Sequence, residues 1–430
     1  MRRQRQIASG AYIVRSRGRF DDLFWLAPEN RLDGISPFLF VDPRNNRYSL
    51  NNQFVKVSDI LALSSATGKS YVDANGVLRF AGSNEVRIDN STRRSRILLE
   101  GPDTSITGNT NNFSDAQWAK DDATVIPNAG IGPDGTNNAW KLVANAGYDY
   151  TSGNATVLSR FISVTGSLPW VWSIFVKAAE LTQFRFRNNW TGSFTTVDLT
   201  ATTDTANSVY VGNGWHRCFL IYTPPSTSTN GISYRPFGPG TADGVGGVLI
   251  YGGNIVQSNV LSSYIEGATG SAVTRTADIC PFTVAARTPL LTGAGAVAGR
   301  ARFAITGLNF RLVGGGGSGT QRHIVGPTNA ADRAETWNNS ASINALTGGG
   351  LWTSLNGAGA CSSWGPSGRR IAMNGSATTD DANLAGYTDV TLGTSTGLLA
   401  GQVMYVDQIV GWTLSDRASA AAVQAQARIA

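Results

Sequence analysis

The sequence predicts an all-β protein, with an N-terminal extended attachment segment, two antiparallel, jelly-roll-like β-sandwich domains and a short C-terminal helix. Three observations favour this fold class. Apolar residues alternate with polar ones over short segments, a period of two that is typical of half-buried strands. These segments end in turn residues, and the chain contains 50 Gly. The 430 residues, 41% of them hydrophobic, are too many for one ordinary sandwich and enough for two cores.

Residues 1–60 are expected to attach the protein to a partner rather than to form a domain of their own. Residues 1–20 contain several arginines and no acidic side chain. Such an arm could contact nucleic-acid phosphates, but no base-reading fold follows it, so docking on a neighbouring protein is favoured over nucleic acid. The arginines expected to dock are Arg2, Arg3, Arg5, Arg15, Arg17 and Arg19. A short helix is predicted at residues 58–63, with Ser58 as its N-cap.

Two kinds of targeting segment are not indicated by the sequence. The basic N-terminus is not followed by the apolar stretch of a secretory signal. No run of about 18 apolar residues, which a membrane-spanning helix would need, occurs in the chain. We therefore expect a protein that is made in the cytoplasm and has no membrane partner.

Residues 61–110 are predicted to form a turn-rich β bridge. Residues 73–76 (DANG) separate two apolar segments, and Asn-Gly readily supplies the positive φ angles of a tight turn. The pattern therefore indicates a β-hairpin at residues 71–80.

Residues 111–280 are predicted to form the first sandwich. Residues 170–177 (WVWSIFVK) have the alternation of a strand, and Phe184 and Phe186 alternate with Arg185 and Arg187 in the next one. This second pattern places the two phenylalanines inside the sandwich and the two arginines on its outer face. The tryptophans expected in the core are Trp118, Trp172 and Trp215.

Residues 281–430 are predicted to form the second sandwich. Short strand patterns recur from residue 300, and residues 314–319 (GGGGSG) between two of them match no phosphate-binding motif and are interpreted as a loop. An Ala-rich stretch that follows Ser415 and extends to Ile429 is predicted to be the terminal helix, with Ser415 as its N-cap.

The order of several segments resembles that of a known family. Residues 111–143, with an aromatic anchor at Trp118 and a Gly/Pro turn at 130–135, are similar to the opening of the carbohydrate-binding-module-like β-sandwich of bacteriophage virion proteins. Residues 300–430 are more weakly similar to the concanavalin-like or laminin-G-like sandwiches that often follow it. The other segments that carry the resemblance are 71–80 (YVDANGVLRF), 84–88 (NEVRI), 96–101 (RILLEG), 172–178 (WSIFVKA), 212–218 (GNGWHRC) and 263–278 (SYIEGATGSAVTRTAD).

The resemblance implies a function and a location. A protein of this family would be part of the virion, as a tail fibre, a spike or a head decoration. Its N-terminal segment would contact other virion proteins, and its sandwiches would be displayed toward polysaccharides of the host surface. Such proteins are commonly symmetric, so we expect a homo-oligomer, for which a trimer is one option. A head or tail adaptor that binds no sugar is the rival interpretation.

The sequence contains no motif of a common hydrolase, and we expect no enzymatic activity. HExxH, GxSxG and Walker motifs do not occur. A polysaccharide depolymerase is a weaker alternative, because a glycosidase needs only two carboxylates close together in space. His216 is expected to be structural. The three cysteines (Cys218, Cys280 and Cys361) lack metal or disulfide spacing and are expected to be buried thiols.

Sugar binding is expected at aromatic and polar side chains that lie together. Sugar rings stack on aromatic side chains, while arginine and amide groups bind the hydroxyls. Trp190 is the first candidate because it lies in a polar segment, although a protein contact is an equal alternative for each aromatic residue. The candidates are Trp190, Arg185, Arg187, Tyr148, Tyr150, Trp337, Trp352 and Trp364. No cofactor is expected; a structural Ca²⁺ held by Asp149 or Asp243 is one option.

Overall fold

Antiparallel β-structure dominates the chain. The computed structural model describes residues 24–65, 68–151, 158–268, 270–291, 293–304, 311–315, 321–325, 333–338, 341–346, 353, 357–381, 391–392 and 402–429. The predicted docking arginines (Arg2, Arg3, Arg5, Arg15, Arg17 and Arg19) and Trp352 lie outside these residues. The all-β prediction with a short C-terminal helix is confirmed.

The strands of the described residues are numbered in chain order. The first group is β1 (Leu39–Asp42), β2 (Arg47–Leu50), β3 (Gln53–Phe54), β4 (Lys69–Val72), β5 (Leu78–Ala81), β6 (Ile88–Asp89), β7 (Arg96–Glu100) and β8 (Asp103–Ser105). The second is β9 (Ala119–Lys120), β10 (Ala123–Gly130), β11 (Ala139–Ala144), β12 (Leu158–Val164), β13 (Trp170–Ala178), β14 (Gln183–Asn188), β15 (Phe194–Asp198), β16 (Ser208–Gly212), β17 (Trp215–Tyr222), β18 (Ser228–Phe237), β19 (Gly247–Val256), β20 (Val273–Arg275) and β21 (Cys280–Pro281).

The remaining elements belong to the C-terminal part and to the helices. The strands are β22 (Ala294–Phe303), β23 (Arg311–Gly315), β24 (Gln321–Val325), β25 (Arg333–Asn338), β26 (Ala341–Leu346), β27 (Ala358–Gly365), β28 (Gly368–Met373), β29 (Thr379–Asp381), β30 (Thr391–Leu392) and β31 (Val403–Leu414). The helices are α1 (Val57–Ile60), α2 (Val284–Leu291) and α3 (Ala420–Ile429), with short 3-10 helices at Phe24–Leu26 and Pro28–Asn30.

Two sheets form the first sandwich. Sheet I has the order β10-β11-β19-β13-β17-β16, and β8 and β20 pair beside β19. Sheet II has the order β15-β14-β18-β12-β9. Aromatic and branched side chains from both sheets fill the space between them, as the alternating pattern predicts. Trp118, Trp172 and Trp215 are buried, as predicted, the first two in this core and the third on the other face of sheet I.

The outer face of sheet I is covered by the predicted hairpin, which β4 and β5 form. Val72 and Leu78 of the hairpin pack against Phe175, Trp215 and Tyr251 of sheet I. Both faces of β13 are therefore buried over most of its length, which is why Val171 and Phe175 of its outer set are apolar as well.

N-terminal and C-terminal strands share one sheet, which we call sheet III. Its order is β29-β28-β27-β22-β31-β1-β2-β3, and β7 pairs with β31 and β6. Leu39 of β1 lies opposite Gly411 of β31. Asp407 of β31 accepts hydrogen bonds from Arg96 at 2.8 Å and Arg44 at 3.1 Å. Strands from residues 1–60, 61–110 and 281–430 thus share one sheet.

Both faces of sheet III are covered. One face packs on α2 and on sheet IV, which has the order β21-β30-β23-β24-β25-β26. The other packs on the first 3-10 helix through Phe24 and Trp25, and on α3 through Val423. The predicted C-terminal helix thus exists and closes the outer side of the sheet.

Both predicted N-caps are wrong. Helix α1 begins at Val57, so Ser58 lies inside it; the carboxylate of Asp59 accepts the backbone N–H of Lys56 instead. Helix α3 begins at Ala420, five residues after Ser415. The hydroxyl oxygen of Ser419 accepts the N–H of Ala422, and that hydroxyl donates to Asp33. The α1 start depends on the local contact between Lys56 and Asp59, whereas the α3 start involves Asp33, which is distant in sequence and could not be inferred from helix propensity.

A network of buried ion pairs joins the bridge to the first sandwich and its exit. We call it the ionic junction; its members are Lys69, Arg87, Glu100, Asp103, Arg275 and Asp278. Arg87 donates to Glu100 and to Asp278, each at 2.6 Å, and Lys69 contacts Asp278 at 2.5 Å. Arg275 lies 3.2 Å from Glu100 and 2.9 Å from Asp103. Every side chain in it is 4% exposed or less.

The cysteine and histidine predictions are confirmed. All three cysteines are buried and unpaired, and burial raises the pKa of each thiol. His216 is buried between the hydroxyl of Ser208 and the carbonyl of Leu199, and burial lowers its pKa. No helix in the part of the chain that the structure describes is long and apolar enough to cross a membrane.

Candidate functional site

The outer face of sheet II brings predicted site residues together. Alternation along β14 turns Phe184 and Phe186 inward, where both are fully buried, and turns Arg185 and Arg187 outward. This prediction of the sequence is confirmed. Strand pairing then places Arg235 of β18 directly opposite Arg185.

Aromatic side chains surround these arginines. Pairing between β14 and β15 sets Phe194 opposite Arg187, and pairing with β18 sets Phe237 near Arg185. The guanidinium carbon of Arg185 lies 3.3 Å from the centre of the Phe237 ring, and that of Arg235 lies 4.4 Å from the centre of the Phe194 ring. We call this surface the arginine face; its members are Arg185, Arg187, Phe194, Arg235 and Phe237.

Polar groups continue the arginine face toward β12. The side-chain oxygen of Asn189 accepts a hydrogen bond from Arg187 at 3.0 Å, and its nitrogen donates to the Ser233 hydroxyl at 3.0 Å. Ser159 contacts Ser233 at 2.8 Å. Ser159 and Ser233 are buried and hold Asn189 in place. The cationic and amide groups that remain partly open thus lie beside the exposed ring of Phe194. This mixture is typical of surfaces that bind sugars.

Tyr148 and Tyr150 lie beside the arginine face but support it from within. They are 6% and 3% exposed, so their rings offer little surface to a ligand. The hydroxyl of Tyr148 accepts a hydrogen bond from Arg235 at 3.1 Å, and Tyr150 packs edge-on against Phe237. Burial raises the pKa of Tyr148, and the positive charge of Arg235 opposes that rise.

Trp190 lies elsewhere, at the edge of the core. Its ring packs against Trp172 and Tyr222, each at 5.4 Å between ring centres, and its indole N–H donates to Ser228 at 3.1 Å. The residue is half-buried. Because its partners belong to the interior and not to the outer face, Trp190 is not part of the arginine face.

The candidates of the second sandwich do not form a site in the described residues. Trp364 of β27 is 1% exposed and packs in the core between sheets III and IV, so its ring cannot reach a ligand. Trp337 lies in β25, and Trp352 falls outside the described residues.

The carboxylates of Asp243 and Asp149, which are the predicted calcium ligands, accept backbone hydrogen bonds within turns. The carboxylate of Asp243 accepts the backbone N–H groups of Val245 and Gly246 at 2.8 Å each, and that of Asp149 accepts the N–H of Thr151 at 2.8 Å. Within the described ranges, no three histidine, cysteine or acidic side chains converge as a metal ligand set. The calcium option stays a prediction.

A cleft of about 390 Å³ separates the outer face of sheet I from β31. Phe219, Val260 and Tyr405 are among the side chains that line it. Arg217 donates to the carbonyl of Ser262 at 2.5 Å. The charged side chains that line the cleft are Arg217, Arg302, Asp89 and Asp204. The cleft therefore carries charges of both signs, whereas the charged members of the arginine face are all cations.

Sequence analysis missed Arg235, Phe194 and Phe237. The signal was present in β18, where Ser233, Arg235 and Phe237 alternate with the inward Tyr234 and with Pro236. A period-two count would have placed Arg235 and Phe237 on one face of β18. Phe194 begins a different strand, β15. The count would not have shown that this face of β18 adjoins that of β14, because alternation identifies a face and not a neighbour.

Comparison with known proteins gives only distant similarity. No family model matches the sequence, and no curated protein matches it. A solved receptor-binding domain matches at 7% identity over 34% of this chain and 38% of its own, with a TM-score of 0.24. The binding domain of botulinum neurotoxin serotype D/C matches at 11% over 35% and 39%, with a TM-score of 0.25.

A third solved structure covers more of the chain. The N-terminal tandem CBM22 domain of Xyn10C from Paenibacillus barcinonensis matches at 11% identity over 73% of this chain and 99% of its own, with a TM-score of 0.23. The chain spans less than two fifths of the length of the other two structures. Similarity at these TM-scores carries no argument about ligands.

Proposed function

We propose that this protein is a non-enzymatic bacteriophage virion component, a tail fibre, spike or head decoration, whose first sandwich binds glycans of the host surface through the arginine face. The virion role is supported by the sequence resemblance around residues 111–143. Docking on other virion proteins through residues 1–60 and formation of a homo-oligomer belong to the same proposal.

The arginine face is the observation that carries glycan binding. Phe194 is 36% exposed, and its ring could stack on the C–H face of a sugar. Arg185, Arg187 and Asn189 are only partly buried, so their N–H groups can donate to hydroxyl oxygens. A ligand lying across β14 and β15 would meet both kinds of group at once. A single weak site of this kind gains affinity when several copies act together in an oligomer.

The test is binding of the full chain to host envelope polysaccharides and to an array of defined glycans. Phe194→Ala is expected to weaken binding roughly three- to tenfold, because one aromatic contact is lost. The control is Phe54→Ala, since Phe54 is 48% exposed and contacts Trp25, as Phe194 contacts Arg235, but lies on β3 at the edge of sheet III. Equal affinity of the two variants would remove the arginine face from the proposal.

A structural adaptor that binds no sugar is the second candidate, and one edge of sheet I favours it. β10 is the last strand of sheet I among the described strands, and Ile126 and Ile131 on and beside it are 42% and 54% exposed. Pro127 and a register shift in β10 oppose strand pairing at this edge, but the two exposed isoleucines offer an apolar surface that another protein could cover. The adaptor role predicts no binding to any host envelope fraction. Time-dependent shortening of a polysaccharide would instead support the depolymerase.

A further inference from the structure

The centre of the arginine face combines three positive charges. Arg185 and Arg235 are directly opposite in the β14–β18 pairing, and Arg187, opposite Ser233, is the next outward residue. Like charges directly opposite each other destabilise an antiparallel pair. Arg235 is fully buried, and burial together with the charges of Arg187 and Arg185 lowers its pKa.

The two outer arginines have neutral partners. Arg185 donates to the hydroxyl of Thr196 at 2.9 Å, and Arg187 donates to Asn189. Within the described ranges, neither forms an ion pair with a carboxylate. Asp198 ends β15 on the same face, but its carboxylate accepts the N–H and the hydroxyl of Thr200.

Several arginines elsewhere pair with carboxylates. Arg79 pairs with Asp73 at 2.9 Å, Arg370 with Asp380 at 2.5 Å, and the arginines of the ionic junction with buried carboxylates. Arg160 and Arg217 donate to neutral oxygens as well. The arginine face differs because its three arginines are neighbours in the β14–β18 pairing, so that positive charge is concentrated there. A like-charge cluster of this kind weakens folding unless an anion offsets it.

We propose that the ligand of the arginine face is an acidic polysaccharide, a sugar chain that carries carboxylate groups and binds them between Arg185 and Arg187. This inference rests on the proposed glycan-binding function. A carboxylate can accept two parallel hydrogen bonds from one guanidinium, which hydroxyl groups of a neutral sugar match less well. Arg235 lies behind the two outer arginines and adds positive potential without contacting the ligand.

The experiment compares two polymers with the same backbone. Polygalacturonate carries one carboxylate on each sugar, and its methyl ester carries none. The full chain is expected to bind polygalacturonate at least about tenfold more tightly than the ester, and this difference should shrink as salt is raised.

Variants of equal net charge assign the effect to the site. Arg185→Gln/Arg187→Gln is expected to lose at least about tenfold in affinity for polygalacturonate. The control is Arg31→Gln/Arg79→Gln, which removes two exposed arginines outside sheet II and should keep the affinity within about twofold. Arg185→Lys/Arg187→Lys keeps the charge but not the fork of donors, and should bind with intermediate affinity.

Folding of the variants is checked by thermal unfolding. The midpoint of Arg185→Gln/Arg187→Gln should not fall below that of the control pair, since two repelling charges are removed. If both glutamine pairs lost affinity equally, the binding would be non-specific charge attraction and the inference would be wrong. Equal binding of polygalacturonate and its ester, or binding of neutral glycans alone, would overturn the inference but leave the proposed function. If the unmodified protein bound no glycan at all, both the inference and the proposed glycan-binding function would be wrong.

Discussion

Glu100 shows at the scale of one residue how the buried charges are held. The backbone N–H of Ser263 donates to Oε1 of Glu100 and the hydroxyl of Ser263 donates to Oε2. Arg87 and Arg275 both lie against Oε2. Burial alone would raise the pKa of Glu100, but the charges of Arg275 and Arg87 and these hydrogen bonds lower it to about 2. An acid that stays ionised in the interior contributes stability that depends on pH.

We expect this contribution to be lost in acid. The folded-state pKa of Glu100 lies below its unfolded value, so its stabilisation is complete above about pH 4.5 and disappears as the pH falls toward 2. At neutral pH it corresponds to about 3 kcal/mol. Denaturant unfolding at a series of pH values measures it.

A substitution at the same position separates this group from the other acids. Glu100→Gln should cost about 3–5 kcal/mol at pH 7, because two arginines are left buried with less compensation. The variant should also show a shallower loss of stability between pH 4.5 and 2. Glu180→Gln is the control, since Glu180 pairs with Lys141 at the surface and should cost about 1 kcal/mol or less. Parallel pH profiles of Glu100→Gln and the wild type would contradict the assignment.

At the scale of elements, the β4–β5 hairpin docks through a close backbone contact. Gly76 has a φ of 70°, and a Cβ there would lie 2.9 Å from the Cα of Gly212. The side chain of Asn213 donates to the carbonyls of Asn75 and Gly76, each at 3.1 Å. The turn of the hairpin therefore meets the β16–β17 turn with no space for a side chain.

Gly76→Ala should destabilise the protein by more than about 1 kcal/mol, because the alanine has both an unfavourable φ and a clash. Gly34→Ala is the control, because it has a similarly unfavourable φ of 81° but no atom within 4 Å of the added Cβ. The difference between the two variants therefore measures the clash at Gly76. Thermal unfolding of both variants measures the difference. If they were equally stable, the hairpin contact would not contribute.

The local sequence pattern predicted where strands occur better than it predicted which elements pack against them. The alternation of β14 gave both its strand and the outward position of Arg185 and Arg187. The same reasoning could not show that both faces of β13 are buried, because the hairpin that covers the second face comes from residues 69–81. Trp190 was predicted in a site for its polar sequence neighbours, yet its ring packs on Trp172, which is distant in sequence.

At the scale of the whole molecule, the first sandwich depends on residues that precede it. The ionic junction joins Lys69 and Glu100, from the predicted bridge, to Asp278 at the exit of the sandwich. The hairpin covers Phe175 and Trp215 on sheet I. A fragment that begins at residue 111 would lose the hairpin and leave Arg275 and Asp278 without their partners in the bridge.

We expect fragment 68–280 to be better folded than fragment 111–280. The longer fragment keeps every member of the ionic junction and the cover of sheet I. The shorter one should expose an apolar face, bind the dye ANS strongly and tend to aggregate. ANS fluorescence and light scattering at equal concentration compare them. Equal behaviour would show that the predicted boundary at residue 110 marks an independently folding unit.

The pairing of β1 with β31 also constrains how the chain folds during synthesis. Leu39 has left the ribosome long before Gly411, its partner in sheet III, has been made. Until then β1 has an open edge, and the apolar side chains of residues 39–41 lack their cover. Contacts this distant in sequence slow folding, and domains generally fold in the order of their synthesis. The first sandwich is thus expected to form first, and β1 can complete its pairing only after β31 has been synthesised.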